Sequence, residues 1–392
     1  MASEAMVEIG PDTLARQLID AGTLTSDWLP TFKSVPRDHF VPDAIWPGRA
    51  GMNRQDDRVL RSEAPELWWK AVYTDAPITT QWDDGAYTGA GRGRRPTSSS
   101  SMPTMVFSML DALSVKPGNQ VLEIGTGTGW NSGLLCHRLG DQNVVTVEVD
   151  ASIAAEARGR LFAADYAPEV VIGDGALGYG RRSPYDRIIA TASVGNIPSQ
   201  WIGQVHPGAV IVSPWGPVYG GEAVARLVVD EDGVAQGQFV CSSSFMRLRQ
   251  HRKDLPLTSR FLDTAAWPLN AARSKTVLSP EVVGDWILMF AIGVQVPDLF
   301  CRVTWGEDDS YRLWLFDTRV TSWASADYVA GEEEFDVAQA GPRKLWEELE
   351  AAYWWWREQG RPDFDRFGLT TRGGPAYEVW LDAPGNLVPV RR

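Results

Sequence analysis

Ten consecutive residues constrain this chain more than any others: Val121-Leu122-Glu123-Ile124, then Gly125-Thr126-Gly127-Thr128-Gly129-Trp130. The run Gln120 to Ile124 has the length and β-branching of a buried strand, and Trp130 to Leu139 carries Leu134, Leu135 and Leu139 at helical spacing before Gly140. Three glycines at alternate positions between them allow positive φ and let a ligand approach the backbone closely. A strand that enters such a turn and leaves it as a helix opens an α/β sheet, and the turn either holds a cofactor or is a purely structural glycine bend. The spacing is G-x-G-x-G, not the G-x-G-x-x-G of a dinucleotide fingerprint, and Glu123 in the strand end would repel a diphosphate. A carboxylate there accepts from an amino group, which suits S-adenosylmethionine, a cofactor with a sulfonium and an ammonium and no phosphate.

Strand and helix patterns alternate beyond the turn. Val144 to Val149, Val170 to Ile172, Arg187 to Ala190 and Val210 to Val212 predict strands, and Ile153 to Phe162 and Ile197 to Val205 predict helices. Together they predict a Rossmann-like α/β sheet with helices on both faces, closed by an antiparallel hairpin of Ala223 to Val229 and Gln238 to Cys241 around Glu231-Asp232-Gly233. In such a sheet ligands bind beyond the carboxyl ends of the strands. That rule selects Glu123, Gly125, Thr126, Gly127 and Gly129 after the first strand, Glu148 after the second, and Asp174 and Gly175 after the third. Glu148 is placed to take two ribose hydroxyls and Asp174 an adenine amino group, with Gly175 leaving room for the ring. Acidic residues at three successive strand ends are harder to explain as surface charge than as ligand contacts.

Ahead of the sheet, residues 11–34 predict two short helices split by Gly22, a helical lid with Leu14, Leu18, Leu24, Trp28 and Phe32 as its apolar faces. Residues 48–95 read as an irregular polar stretch with one compact island at Trp68, Trp69 and Tyr73. The stretch leads into Thr97-Ser98-Ser99-Ser100-Ser101-Met102-Pro103 and a helix through Met105, Met109, Leu110 and Leu113. The serines are either a flexible linker or, because Pro103 fits a first helical turn, a turn beside outward-facing N–H groups.

At 392 residues the chain suggests two domains, divided where its character changes near residue 245: residues 1–245, and an α+β extension of residues 246–392. The extension begins with a basic run (Arg247, Arg249, Arg252, Lys253). Val303 to Trp305, Tyr311 to Phe316 and Tyr377 to Leu381 predict a small sheet, and Pro342 to Gln359 predicts a helix with Leu345, Trp346, Leu349, Tyr353 and Trp356 on one face. Trp354 and Trp355 fall off that stripe and read as packing against the first domain more readily than as substrate contacts. The net charge of −13 argues against nonspecific nucleic-acid binding. The 3 cysteines have no C-x-x-C spacing and the 4 histidines no H-x-x-x-H spacing, so no metal site is expected. Glu4 and Glu8 argue against a signal peptide, and the apolar run Trp286 to Val294 is too short to span a membrane. The expectation is a soluble cytoplasmic protein with no membrane partner.

VPRDHFVP (Val35 to Pro42), Tyr73-Thr74-Asp75-Ala76-Pro77, the serines before Pro103, VLEIGTGTG, Gly173-Asp174-Gly175 and SPYDRIIATASV (Ser183 to Val194) resemble the protein-L-isoaspartate O-methyltransferase family over roughly the first 240 residues. Gly341 to Trp346, Arg366 to Thr370 and Val379 to Asp382 resemble the extension of methyltransferases that accompany ribosomally made, modified peptides, especially the ATP-grasp-cyclised graspetides. The resemblance implies a class I methyltransferase fold and S-adenosylmethionine as cofactor. It also implies a precursor peptide as partner, methylated on an aspartate side chain whose ester collapses to aspartimide or isoaspartate. The family's active-site serine falls on Ser101, assisted here by Ser99 or by the N-terminus of the helix that follows, although the repair enzymes read T-I-S-x-P where this chain has Ser99-Ser100-Ser101-Met102-Pro103. General isoaspartyl repair is the alternative enzyme, and a non-catalytic peptide-binding partner the alternative of another class. His39 reads as a packing residue, because an aspartate with a pKa near about 4 needs no base at neutral pH. Arg92, Arg94 and Arg95 read as a solvated loop or, less simply, as a clamp for a second acidic group, and Asp83 and Asp84 as acceptor contacts or loop-shaping residues.

Overall fold

Alternate residues of the central strands face opposite ways, and each face is buried by a different set of elements. In the computed structural model, which describes residues 9–49, 52–261, 271–279, 283–306 and 310–391, Val121, Val144, Ile189 and Val212 enter one core while Leu122, Val145, Ile188 and Ile211 enter another. Glu4 and Glu8 lie outside the described residues. The nine-stranded sheet runs Tyr377–Leu381, Phe367–Thr371, Ala235–Ser242, Ala223–Val229, Val205–Trp215, Tyr185–Ala190, Val121–Ile124, Val144–Glu148, Glu169–Ile172. From Val205–Trp215 to Glu169–Ile172 the pairing is parallel, and on the other side it is antiparallel. The chain passes outward from Val121–Ile124 on one side and returns on the other, so a crevice opens beyond Ile124, where such sheets bind ligands.

The first core is covered by Pro103–Leu113, Trp130–Leu139 and Ala151–Ala163 together with the two N-terminal helices, Pro11–Asp20 and Leu29–Ser34. Those last two are no lid. Leu14, Leu18, Leu24, Trp28 and Phe32 are buried, Trp28 and Phe32 against Phe107, which in turn meets Trp130, and none of residues 9–34 reaches the crevice.

Residues 48–95 are irregular only in part, chiefly beyond Trp82. Ala44–Arg49, Met52–Gln55, Ile78–Trp82 and Pro96–Ser100 form an antiparallel sheet, with Val59–Leu60 pairing Ala44–Arg49 and the helix Pro65–Val72 beside it. Pro47 and Gly48 interrupt the first strand's pattern, and the polar residues of Ile78-Thr79-Thr80-Gln81-Trp82 hide the second. The serine run is the last strand of this sheet, with Ser98 and Ser100 buried and Ser99 between them half-buried, so it is neither a linker nor a turn.

The extension holds an antiparallel sheet in the order Ala272–Thr276, Phe335–Ala340, Trp323–Tyr328, Tyr311–Asp317, Leu299–Trp305, packed under Trp286–Gln295 and Leu345–Glu358. Tyr377–Leu381 does not belong to it: with Phe367–Thr371 it continues the main sheet from Ala235–Ser242. Residue 245 is therefore no clean boundary. Phe290, from the helix Trp286–Gln295, sits edge-on to Trp215, Phe239 and Phe367, so the extension supplies part of the main sheet's second cover. Trp355 packs on that same core as expected, whereas Trp354 is largely exposed with Arg357 over its ring. The helix expected at Ile197 to Val205 shrinks to Ser199–Ile202 after Pro198, because the next strand already starts at Val205.

Gly221 marks a close approach of the two parts: at φ +70°, a Cβ there would lie 2.3 Å from the Phe290 nitrogen and 2.5 Å from the Trp286 carbonyl oxygen. Gly233 has the same φ of +70° in open space. Gly233→Ala is expected to cost about 1 kcal/mol of backbone strain and Gly221→Ala at least about twice that in thermal unfolding, and equal losses would show that the contact is not tight.

Candidate active site

The glycine turn floors a cavity of about 1060 Å³ that runs from the sheet's crevice past the serine strand to residues 242–255. Gly125, Gly127 and Gly129 all have positive φ (93°, 53° and 94°), the conformation for which glycine was expected. Gly125 lies under Thr191, whose hydroxyl would be 2.8 Å from a Cβ, and a Cβ on Gly127 would stand 3.3 Å from the Ser99 carbonyl oxygen. The cofactor turn and the serine strand thus abut. Gly175 is as restricted, since a Cβ would fall 2.5 Å from Ile124 Cγ2, and the Trp201 indole N–H holds its carbonyl at 2.8 Å.

Glu148 ends its strand at the cavity wall, accepting from the backbone N–H of Gly127 at 3.0 Å and of Asp150 at 3.1 Å. Burial pushes its pKa up, against those hydrogen bonds. Thr126 also borders the cavity, but its hydroxyl pairs inward with Thr146 at 2.7 Å. Glu123, Gly129 and Asp174 are not part of the lining. Glu123 is wholly buried, accepting from Asn131 Nδ2 at 2.7 Å and from the Ser132 hydroxyl, so its carboxylate ties the strand to the first turn of the following helix. Burial pushes its pKa up as well. Gly129 packs against Leu161 and Ala157, letting two helices meet. Asp174 caps the short turn Gly175–Leu177 through the Ala176 N–H at 2.9 Å.

The serine strand is held from behind by Arg37, the arginine of VPRDHFVP. Its guanidinium, 1% exposed, donates to the carbonyls of Val72, Thr74, Ala76, Ser100 and Ser101 and to the Ser100 hydroxyl, at 2.8 to 3.3 Å. Burial pushes its pKa down to about 9, with Asp75 opposing, so the group is charged at neutral pH. Asp75 itself accepts from the Thr104 N–H at 2.9 Å and the Thr104 hydroxyl at 2.7 Å, capping the helix Pro103–Leu113. The N-terminus expected to assist Ser101 is thus already engaged. Neither Arg37 nor Asp75 was singled out from sequence, and the signal was a charged residue inside each of two otherwise apolar or turn-forming strings. Ser99 and Ser101 both line the cavity.

Residues 246–255 roof the site. Ser193 exchanges backbone hydrogen bonds with Met246 and Leu248 at 2.9 Å, Arg249 pairs with Asp150 at 3.2 Å and Asp84 at 3.1 Å, and Arg252 pairs with Asp84 at 2.9 Å. Asp84 is therefore a clasp between the small sheet and the roof, and Asp83 shapes its loop by accepting the Arg94 and Arg95 N–H groups at 2.9 Å. Of the three loop arginines only Arg95 lines the cavity. His39 is exposed and lies in a separate shallow depression with Asp38 and Arg61.

Beside the glycine turn the wall presents Glu148, and Arg249, which reaches Asp150 two residues further on, is already doubly paired. A carboxylate acceptor there fits a nucleoside with free hydroxyls and a cationic tail better than a diphosphate, which it would repel. No cluster of three metal-ligating side chains occurs among the described residues, and no described helix is long and apolar enough to cross a membrane.

Residues 57–253 match the family described as protein-L-isoaspartate(D-aspartate) O-methyltransferase. The chain is similar to the protein-L-isoaspartate O-methyltransferase of Methylorubrum extorquens (strain PA1), 32% identical over 211 residues, which is 54% of this chain and 75% of that one. It is also similar to the enzyme of that name from Hyperthermus butylicus, 37% identical over 217 residues, 53% of this chain and 75% of the relative. A solved structure of a protein-L-isoaspartate O-methyltransferase superposes with a TM-score of 0.50 at 18% identity over 95% of this chain and 100% of its own, a likeness of fold.

Replacing Arg37 by methionine removes six hydrogen bonds and leaves five carbonyls to find other partners. The expected loss in urea unfolding is about 3–5 kcal/mol. Arg37→Lys should recover little of it, because an ammonium lacks the planar fork. A loss under about 1 kcal/mol would mean the strand is held by its sheet alone.

Proposed function

We propose a substrate and a product for this chain from one premise: it belongs to the protein-L-isoaspartate(D-aspartate) O-methyltransferase family. It is an S-adenosylmethionine-dependent carboxyl O-methyltransferase. In our reading the acceptor is an aspartate side chain of a ribosomally made, macrocyclised peptide of the graspetide type, and residues 246–392 take part in recognising it. The observation that carries this reading is that Leu255 and Trp286, both beyond the family match, line the same cavity as the serine strand. A cavity completed by residues beyond the family match offers acceptor contacts that the matched residues do not supply by themselves. The match over residues 57–253 favours the second reading, general isoaspartyl repair. Reduced Cys136, Cys241 and Cys301 accord with a cytoplasmic setting.

The chemistry asks for alignment more than acid–base help. S-adenosylmethionine supplies a methyl on a sulfonium, and the acceptor carboxylate is already ionised at neutral pH. Gly125, Thr126, Gly127 and Gly175 would cradle the donor, Glu148 would accept from its ribose hydroxyls, and Asp174 would hold Gly175 in place by capping the turn Gly175–Leu177. Glu123 and Gly129 would act from behind by fixing the turn. Ser101, with Ser99, would hold one carboxylate oxygen so that the other meets the methyl in line, and the roof would exclude water, gains worth up to about 7–11 kcal/mol together. In the methyl ester, a backbone amide nitrogen can then bond to the ester carbonyl carbon as the C–O bond to methoxide breaks, the amide proton leaving with it as methanol.

Ser101→Ala is expected to lower kcat about 100-fold, about 3 kcal/mol, with donor affinity unchanged by calorimetry, and wild-type turnover would remove Ser101 from the mechanism. Mass spectrometry should show a methyl gain followed by methanol loss on a cyclised precursor but not on a generic isoaspartyl peptide, and the reverse preference would establish repair instead. Ribose hydroxyls donate to an ionised Glu148, whose pKa is raised. Donor affinity is therefore full above that raised pKa and falls as pH drops through it, beginning nearer neutrality than an ordinary carboxylate at about 4.3 would allow. Glu148→Gln should flatten that titration, and a wild-type profile flat down to the ordinary range would refute the contact.

A further inference from the structure

The acceptor end of the cavity carries cations that the alignment chemistry does not use. In a chain of net charge −13, Arg95, Arg247, Arg249, Arg252 and Lys253 all line it, with Arg247 already turned onto the Gly216 carbonyl at 3.2 Å and the charge of Glu222. Arg249 and Arg252 are taken by Asp84 and Asp150, whereas Arg95 and Lys253 have no acidic partner among the described residues. Arg95 stands on the serine-strand wall and Lys253 on the roof. The turn at Asp83 and Asp84 joins those walls: Asp83 accepts the Arg95 backbone N–H at 2.9 Å while Asp84 holds Arg252, the neighbour of Lys253, also at 2.9 Å. The two free cations therefore sit at the same end of the cavity. Trp286 completes that lining from the extension, its indole N–H donating to the Ser243 carbonyl at 3.1 Å with 38% of the residue exposed. An aromatic wall lowers the local dielectric and strengthens attraction between a cation and an incoming anion.

We infer that Arg95 and Lys253, in the cavity that Trp286 also lines, form a subsite for a second carboxylate of the acceptor, so that the enzyme selects acidic peptides. This rests on the reading that the acceptor is a peptide carboxylate, and it adds a preference for further acidic residues beside the one methylated. The loop arginines thus divide by position: Arg95 faces the acceptor, and Arg92 and Arg94 do not line the cavity.

The test is calorimetric titration of the full-length protein, saturated with S-adenosylhomocysteine, with two blocked synthetic tetrapeptides, one of glutamate and one of glutamine. The glutamate peptide is expected to bind about tenfold more tightly, with a preference that shrinks as sodium chloride is raised. The double variant Arg95→Gln/Lys253→Gln should reduce that preference at least about fivefold. Trp286→Ala should weaken the glutamate peptide more than the glutamine one, and Lys116→Gln, an exposed cation outside the cavity, should change neither. Equal binding of the two peptides, or a preference untouched in the double variant, overturns the subsite. The titration reads binding without turnover. A retained preference with no methyl transfer to any peptide would thus sink the proposed reaction and leave the subsite standing.

Discussion

One buried guanidinium sets the geometry on which the site depends. Arg37 fastens residues 72–76 to Ser100 and Ser101, and that fixes the strand whose Ser99 carbonyl lies against Gly127. The glycine turn is built on the central sheet and the serine strand on a separate small sheet, and the two have no strand pairing in common. Their register is therefore a tertiary matter. Burying a charge with no carboxylate in direct contact is costly, and its hydrogen bonds to five carbonyls and a hydroxyl are what offset that cost. The return is positional: a planar fork with donors at fixed angles holds carbonyls from two loops and a strand end in a single arrangement.

The extension is bound into the fold as firmly as any internal element. Its helix Trp286–Gln295 places Phe290 against the second face of the sheet, and its last strands add to the edge beyond Ala235–Ser242. The chain thus leaves the main sheet after Ser242, builds a second sheet, and comes back. A segment anchored at both ends holds Trp286 at the cavity with far less freedom than a tethered domain would have, and an acceptor subsite needs that rigidity.

Local and periodic features were legible in the sequence. The strand, glycine turn and helix at Val121 to Leu139, the parallel alternation that follows, apart from the helix cut short to Ser199–Ile202, and the hairpin after Ala223 stand where their patterns put them. The small sheet was hidden because Pro47 and Gly48 break one strand and serines, weak β-formers, make another whose burial comes from Arg37. Tyr377–Leu381 was readable as a strand but not as a neighbour of Phe367–Thr371 in the main sheet, since pairing is nonlocal. Glu123 shows the same limit within a site. Its carboxylate was visible, but Asn131 and Ser132, which hold it, reach it only because the next helix starts at Trp130 and turns them back over the strand.

The floor and the roof of the cavity are held by interactions of very different strength. The floor rests on strands with near-complete burial and on Arg37. The roof rests on Asp84, Arg249, Arg252 and Asp150, whose side chains are 11% to 39% exposed. Such pairs contribute about 0–1 kcal/mol each and are screened by salt. Arg249 touches Asp150, two residues beyond Glu148 on the central sheet, and Asp84 on the small sheet, so any movement of the roof loosens pairs to both sheets at once. The small sheet and the central sheet also keep a tie that does not belong to the roof, Gln81 Nε2 donating to Asp150 at 3.3 Å, so loosening those pairs does not by itself part the serine strand from the glycine turn.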